Sequence, residues 1–215
     1  MNPLIFILAL ILNYQVNARE SAIEAVDTQN LRVCADPSNL PFSNDKGEGF
    51  ENEIAELLGD KLGIPVVYEY FPQVIGYVRN TLNKKKCDII IGITAGNELV
   101  LNTVPYMRWA YGMVYLKDSG IEVDRPDHPQ LAELSIGVQA GTPPTFVLQR
   151  YNLMGKVRPY NLTFDPRVAV IGETMIEDMI DGLVDIAFMS GPIATHYLNK
   201  KGYDKNKYVF IPLET

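Results

Sequence analysis

The sequence predicts an α/β protein made of two lobes, each a parallel sheet built from strand–helix–strand units. Short apolar runs rich in branched residues alternate with stretches whose apolar residues recur every three or four positions. Turn-forming residues separate these runs, and the same alternation returns in the second half of the 215 residues. Strands that alternate with helices form βαβ units, so we predict two βαβ lobes joined by a hinge.

The first unit is a strand, a loop and a helix between Leu31 and Gly63. Leu31 to Ala35 is apolar, and turn formers follow it from Asp36, which is the pattern of an inner strand of a parallel sheet. Open α/β sheets place ligands in loops at this end of their strands. Residues 51–62 then predict a helix that ends at Gly63 in a left-handed cap. Its predicted buried face consists of Ile54, Leu57, Leu58 and Leu62.

Two further strands complete the first lobe, for which we predict residues 30–109. A strand at 65–71 and a helix at 74–83 lead to a third strand at 88–93, whose apolar residues indicate that both of its faces are covered. Residues 110–117 are the predicted crossing strand of the hinge.

The second lobe, predicted at residues 118–215, repeats the pattern. Its predicted strands are 134–139, 157–160, 184–189 and 208–211, and its helices begin at Thr142, Asp165 and Gly191. The predicted buried face of the middle helix consists of Met175, Ile176, Met179, Ile180 and Leu183.

Three motifs of the first lobe resemble a known family. They read CADPSNLPFSN, GEGFENEIAELLGDKLGIPV and KCDIIIGITAG. They are similar to the two-lobed periplasmic solute-binding proteins of ABC transporters, the type II periplasmic binding proteins, and the resemblance covers nearly the whole chain after residue 30. Within this superfamily the chain looks most like the MxaJ and XoxJ family, binding-protein-like accessory proteins encoded beside quinoprotein methanol dehydrogenases.

This resemblance implies a periplasmic-binding-protein-like type II fold and an accessory or assembly role without a cofactor. The implied partners are a periplasmic quinoprotein methanol dehydrogenase and its cytochrome c. In the family the chain returns to the first lobe through a second crossing strand, whereas this sequence stops at Thr215. We therefore expect one connection between the lobes, a looser hinge and more exposed first-lobe surface.

The resemblance also locates three anchors that hold an amino acid in other members. An Arg after the third strand grips the carboxylate in a bidentate contact, and Leu99 stands there. A second-lobe helix N-terminus attracts the anion, but Thr142-Pro143-Pro144 lacks two of the N–H groups. An acid pairs with the ammonium where this chain has Ser190-Gly191. These replacements argue against an amino-acid receptor.

Polar and aromatic side chains remain around the predicted cleft. Asp36, Thr94 and Thr142 are also ordinary turn or cap residues, and the aromatic side chains serve equally as cleft wall or as core. The candidate cleft residues are Asp36, Phe42, Glu51, Thr94, Tyr106, Trp109, Thr142 and Ser190.

Neither a catalytic residue nor a metal site is predicted. His128 and His196 stand apart from any other His or Cys at metal-ligand spacing. The formal charge of -7 argues against nucleic acid or an anionic membrane as the main partner and suits a basic protein.

The N-terminus predicts export to the periplasm. Residues 1–18 carry an apolar run too short to span a bilayer and end in Val16-Asn17-Ala18, which predicts a cleaved signal peptide and no membrane span in the mature chain. The alternative is an uncleaved N-terminal anchor. In an exported chain Cys34 and Cys87 form a disulfide or remain two buried thiols.

Three functions follow from these observations. The first is a non-catalytic accessory or assembly factor for the methanol dehydrogenase. The second is the substrate-binding protein of an ABC transporter for a small polar solute, and the third is a periplasmic dehydratase-like enzyme on the same scaffold.

Overall fold

The computed structural model describes residues 27–161 and 170–213. The predicted signal peptide and the predicted helix start at Asp165-Pro166 lie outside these residues. The described strands are β1 (Leu31–Ala35), β2 (Ser38–Asn39), β3 (Ser43–Asn44), β4 (Val66–Tyr70), β5 (Ile89–Ile90), β6 (Tyr111–Leu116), β7 (Ile136–Gln139), β8 (Val157–Tyr160), β9 (Ile186–Ser190) and β10 (Tyr208–Pro212). The described α-helices are α1 (Phe50–Leu62), α2 (Tyr77–Asn80), α3 (Pro143–Arg150), α4 (Ile171–Ile180) and α5 (Gly191–Lys200).

The first sheet has three parallel strands in the order β4-β1-β5. β1 is central and pairs with β4 over its full length, whereas β5 contributes only two residues. A short hairpin of β2 and β3 follows β1 and forms the loop at its carboxyl end. The predicted strand–loop–helix unit is therefore present, and the loop lies at the edge of the sheet where it was expected.

Helix α1 packs with a different face inward than predicted. Leu57 is 54% exposed and Leu62 is also exposed, whereas Ala55 and Gly59 are buried. A side chain at Gly59 would bring its Cβ within 2.6 Å of the Val66 side chain, so a residue without Cβ lets the helix approach β4 closely. The predicted face was therefore wrong at Leu57 and Leu62, because close packing of small residues outweighed burial of these leucines.

Two other first-lobe elements are shorter than predicted. The helix predicted at 74–83 consists of α2 and a separate 3-10 turn at Leu82–Lys84. The third strand is only Ile89–Ile90. These two residues are partly buried against the clusters on opposite faces of the first sheet, so both faces are covered in part.

The second sheet has five strands in the order β10-β6-β9-β7-β8. β8, β7 and β9 are parallel. β6 pairs antiparallel with β9, and β10 pairs antiparallel with β6 at the edge of the sheet. The predicted crossing strand is thus β6, a member of this sheet. The predicted lobe and hinge boundaries remain predictions.

The helices of the second sheet agree with the sequence pattern where they are described. α3 and α5 begin after Thr142 and Ser190, each with proline in its first turn. Met175, Ile176 and Met179 of α4 are buried, but Leu183 lies beyond the helix and is exposed. None of the helices in the described ranges has the length and apolar character that a bilayer crossing requires.

The second sheet holds most of the apolar core of the described residues. Its two faces carry clusters of twelve and ten buried residues, whereas the faces of the first sheet carry four and three. Met113 and Val114 of β6 enter the two large clusters from adjacent positions, because successive side chains of a strand point to opposite faces. The first sheet has no such strand beside β5 within the described ranges.

Cys34 and Cys87 form a disulfide in the first lobe. Their Cα atoms lie 5.5 Å apart, within bridging distance, because Cys87 lies two residues before β5, the strand that pairs with β1. Of the two alternatives left by the sequence, the structure has the disulfide, and it joins β1 to the start of the β5 segment.

Candidate functional site

A buried carboxyl group, Glu51, lies at the centre of the first-lobe candidate residues. It occupies the first turn of α1, and its backbone N–H donates to the Phe42 carbonyl at 2.8 Å. The Tyr106 hydroxyl donates a long hydrogen bond of 3.4 Å to Glu51 Oε1. Gly92, at φ +84°, passes so close that an added Cβ would lie 1.9 Å from the same oxygen. The fold therefore holds this carboxyl group between a tyrosine and bare backbone.

Burial raises the pKa of Glu51 to about 7. The negative charge of Asp36 raises it further, while the hydrogen bond from Tyr106 lowers it. No Arg or Lys of the described chain contributes to this pKa. Near neutral pH the group is therefore present in both forms, and it can either accept or donate a hydrogen bond.

Asp36 is buried, and its two oxygens bind the backbone. Oδ1 accepts the Ser38 N–H at 2.8 Å and Oδ2 accepts the Gln73 N–H at 2.6 Å. Burial raises its pKa, and the two N–H donors oppose that shift. Of its two sequence interpretations, these contacts favour the structural one, since Asp36 joins the loop after β1 to the loop after β4.

Tyr77 is a site residue that the sequence analysis missed. Its side chain is buried, and its hydroxyl makes no hydrogen bond to the described residues. Burial raises the pKa of Tyr77, the Gln73 side chain lowers it, and the negative charges of Asp36 and Glu51 raise it further. The helical pattern places Tyr77 in a helix but gives no sign that its hydroxyl points toward this cluster.

Asn52 is a second missed residue, and it holds the loop in place. Its Oδ1 accepts the N–H groups of Asn44 at 3.0 Å and Gly49 at 3.2 Å. A Cβ at Gly49 would lie 2.1 Å from the Phe42 carbonyl oxygen, so only glycine fits there. The sequence signal was the Gly-x-x-Asn spacing just before an apolar helix, which is a variant of a capping box.

Aromatic packing accounts for two more candidates. Phe42 is buried, with its ring centroid 5.2 Å from Phe50 and 5.0 Å from Trp109. Both pairs are tilted, as aromatic pairs in cores usually are. Phe42 and Trp109 are thus packing residues, whereas Tyr106 remains half exposed and Thr94 is exposed.

Thr142 and Ser190 come together in the second lobe. Both line a cavity of about 40 Å³, together with Tyr111, Gln139 and Ile193. Thr142 Oγ1 donates to the Gln139 carbonyl at 2.6 Å, but the buried Ser190 Oγ has no partner among the described residues. The cavity has room for about one or two waters, whereas small-molecule sites usually occupy at least about 300 Å³.

All three anchor positions lie within the described residues. Leu99 is 64% exposed, α3 begins with Pro143 and Pro144, and Ser190 is neutral. No group of three or more His, Cys, Asp or Glu that could hold a metal occurs in residues 27–161 and 170–213. The candidate residues that the structure describes offer hydroxyls and acids, and none of them is an Arg or Lys.

Comparison with known proteins identifies the family. Residues 31–142, just over half of the chain, match the bacterial extracellular solute-binding proteins, family 3. The chain belongs to this family. Its fold is accordingly the periplasmic-binding-protein-like type II fold predicted from the sequence.

Particular relatives confirm the resemblance to MxaJ and XoxJ. The chain is 33% identical to Protein MoxJ of Paracoccus denitrificans over 80% of this chain and 66% of that protein. It is 29% identical to Protein MoxJ of Methylorubrum extorquens over 84% of this chain and 64% of that protein. The crystal structure of periplasmic binding protein XoxJ from Methylobacterium extorquens AM1 has a TM-score of 0.69 and 36% identity, covering 86% of this chain and 77% of that one. The chain thus spans just under two thirds of the MoxJ proteins that it matches.

Proposed function

We propose that this family 3 protein is a non-catalytic periplasmic accessory or assembly factor for a PQQ-dependent methanol dehydrogenase. The observation that carries the proposal is the match to MoxJ and XoxJ over more than three quarters of the chain. The proposed partners are the dehydrogenase and its cytochrome c, so the scaffold binds a protein in place of a small solute.

The chemistry of the candidate site supports a protein partner over a small zwitterion. A zwitterion requires a cation for its carboxylate, because a buried anion without a partner is costly. Leu99 offers no charge, and α3 lacks N–H groups at two of its first positions. The charged groups that are present, Asp36 and Glu51, have the wrong sign for a carboxylate.

Two observations support a periplasmic location. The family is described as extracellular, and the Cys34–Cys87 disulfide suits an oxidising compartment. The predicted signal peptide at residues 1–18 would deliver the chain there.

A pull-down tests the proposal. Tagged full-length protein, mixed with periplasmic extract from a methanol-grown bacterium, is expected to recover the dehydrogenase subunit. Thr94→Arg places a bulky charge at the carboxyl edge of the first sheet and should reduce recovery. Thr28→Arg is the matched control, because it makes the same change at an exposed residue before β1, at the opposite edge. Equal recovery by both variants would show that the dehydrogenase does not bind the carboxyl edge of the first sheet. No recovery by the unsubstituted protein would refute the proposal.

A solute receptor is the second candidate function, favoured by the unpartnered buried hydroxyls of Tyr77 and Ser190. A ligand at 100 times its Kd would add about 2.7 kcal/mol to the free energy of unfolding. We expect no such thermal shift with amino acids, polyols, calcium or lanthanide salts. A reproducible shift with one solute would favour the receptor. A dehydratase-like enzyme has no supporting observation beyond the scaffold, since it too would need a cation for its substrate.

A further inference from the structure

The small cavity of the second lobe lies at the carboxyl edge of its sheet, where β7 and β9 end and β6 begins. Gln139, Ser190 and Tyr111 meet there, because β9 pairs with both β7 and β6. Thr142, just before α3, and Gly172, in the first turn of α4, also line it. All of the lining residues belong to the described part of the chain, so the second sheet and its helices form the cavity by themselves.

Ser190 brings a buried hydroxyl group to this cavity. The residue is 5% exposed, and its Oγ has no hydrogen-bond partner among the described residues. Ser190 is the N-cap of α5, where serine usually accepts a hydrogen bond from the second or third N–H of the helix. Here the second residue is Pro192, which has no N–H, and the Ser190 side chain makes no capping bond. A small ligand that hydrogen-bonds to this hydroxyl would remove the cost of burying it unpaired.

The rest of the cavity wall is apolar and uncharged. Met175, Phe188, Met189 and Ile193 form it, and none of the residues that line the cavity is an Asp, Glu, Lys, Arg or His. An ionised ligand would be buried there without a countercharge, which is costly. The wall therefore selects a neutral ligand that has both a hydroxyl group and an apolar part.

We propose that this cavity binds a short neutral alcohol, and that the alcohol is methanol. The cavity measures about 40 Å³, and a water molecule occupies about 30 Å³ in the liquid, so the ligand has only two or three non-hydrogen atoms. The methanol hydroxyl binds Ser190 Oγ and Thr142 Oγ1, whose oxygen still accepts while it donates to the Gln139 carbonyl. The methyl group contacts Met175 and Ile193. The choice of methanol among short alcohols rests on the proposed function, because methanol is the substrate of the proposed partner.

The size of the ligand limits the affinity of this site. Each non-hydrogen atom contributes only a bounded share of the binding free energy, so methanol binds with a Kd in the millimolar range at best. The cavity is then occupied only when methanol is abundant. An accessory protein with such a site responds to the supply of the alcohol that its proposed partner oxidises.

NMR of the full chain, labelled with ¹³C at the methionine methyl groups, tests this inference. On titration with methanol, the signals of Met175 and Met189 should shift and reach saturation in the millimolar range. Met154, which is 43% exposed and does not line the cavity, should show only the linear change of a solvent effect. Ser190→Ala should raise the Kd for methanol about 2- to 10-fold, because it removes one hydrogen bond. The matched control Thr195→Ala removes an exposed hydroxyl of the same helix and should leave the Kd unchanged.

Parallel titrations with 1-propanol and formate test the size and the charge of the ligand. Neither should saturate, since 1-propanol is too large and formate is an anion. Linear shifts of Met175 and Met189 with methanol would show that the cavity holds water only, and they would overturn the inference. An unchanged Kd in Ser190→Ala, or saturation by formate and not by methanol, would also overturn it. Methanol binding by a protein that recovers no dehydrogenase in the pull-down would refute the proposed function and leave the site, whereas recovery without methanol binding would do the reverse.

Discussion

Replacing Glu51 by Gln should make the first lobe more stable at alkaline pH and leave it unchanged at acidic pH. The Glu51 carboxyl group is buried against Gly92 and Tyr106 and has no cationic partner in the described chain. Gln keeps the shape and the acceptor oxygen but carries no charge. The variant therefore removes the cost of the buried anion and little else.

The magnitude follows from the pKa. Burial moves the pKa of Glu51 from 4.5 to about 7, and each unit is worth 1.36 kcal/mol, which gives about 3 kcal/mol. Because the folded pKa is raised, the protonated form stabilises the fold. The contribution of protonated Glu51 to the free energy of unfolding is complete below about pH 4.5, and it is lost as the pH rises through about 7. Asp36, whose pKa is also raised, acts in the same direction.

Urea unfolding followed by Trp109 fluorescence measures the effect locally. Trp109 is the single tryptophan and packs on Phe42 in the first lobe. The free energy of unfolding of Glu51→Gln should exceed that of the unsubstituted protein by up to about 3 kcal/mol at pH 8. The two proteins should converge at pH 4. Glu53→Gln, an exposed change of the same charge in the same helical turn, should show no such pH-dependent gain. An equal difference between Glu51→Gln and the unsubstituted protein at both pH values would refute the reasoning.

Three further changes test the packing of the two lobes. Cys34→Ala/Cys87→Ala should lower the free energy of unfolding by about 4 kcal/mol, as expected for a disulfide that closes a loop across 53 positions. A reductant should shift the Trp109 unfolding transition of the unsubstituted protein to that of the variant. A shift of the Trp109 transition when reductant is added to the variant would contradict this. Leu148→Ala should cost about 2 to 5 kcal/mol by circular dichroism, because the side chain is fully buried, whereas Leu57→Ala should change stability by about 0.5 kcal/mol or less. Equal losses of stability in the two variants would indicate that Leu57 is buried, as the sequence predicted for α1. Gly92→Ala should lower the thermal midpoint, since it combines backbone strain of about 1 to 3 kcal/mol with a clash against Glu51. An unchanged midpoint would show that the β5 loop can move away.

The sequence predicted the elements that depend on local pattern. β1 was predicted with its observed bounds, and α1 ends at Gly63 in the expected left-handed conformation. The starts of α3 and α5 also follow from capping and proline chemistry. These features depend on neighbours in the chain, so a single sequence contains the information.

Features that depend on distant contacts were predicted less well. The apolar spacing of α1 points to Leu57 and Leu62, but the close approach of Gly59 to β4 rotates them outward. The run at 88–93 predicts an inner strand, although among the described residues β5 pairs with β1 alone. Among the candidate site residues, Glu51 and Tyr106 do meet, yet Tyr77 was missed because nothing in a helical pattern reports which way a hydroxyl points.

The most direct measurement is isothermal titration calorimetry of the full chain against purified methanol dehydrogenase, with L-arginine and L-glutamate as parallel titrants. A scaffold that binds a protein without gripping a zwitterion predicts saturable heat with the enzyme and none with either amino acid. Saturable heat with an amino acid, together with a flat trace for the enzyme, would contradict it.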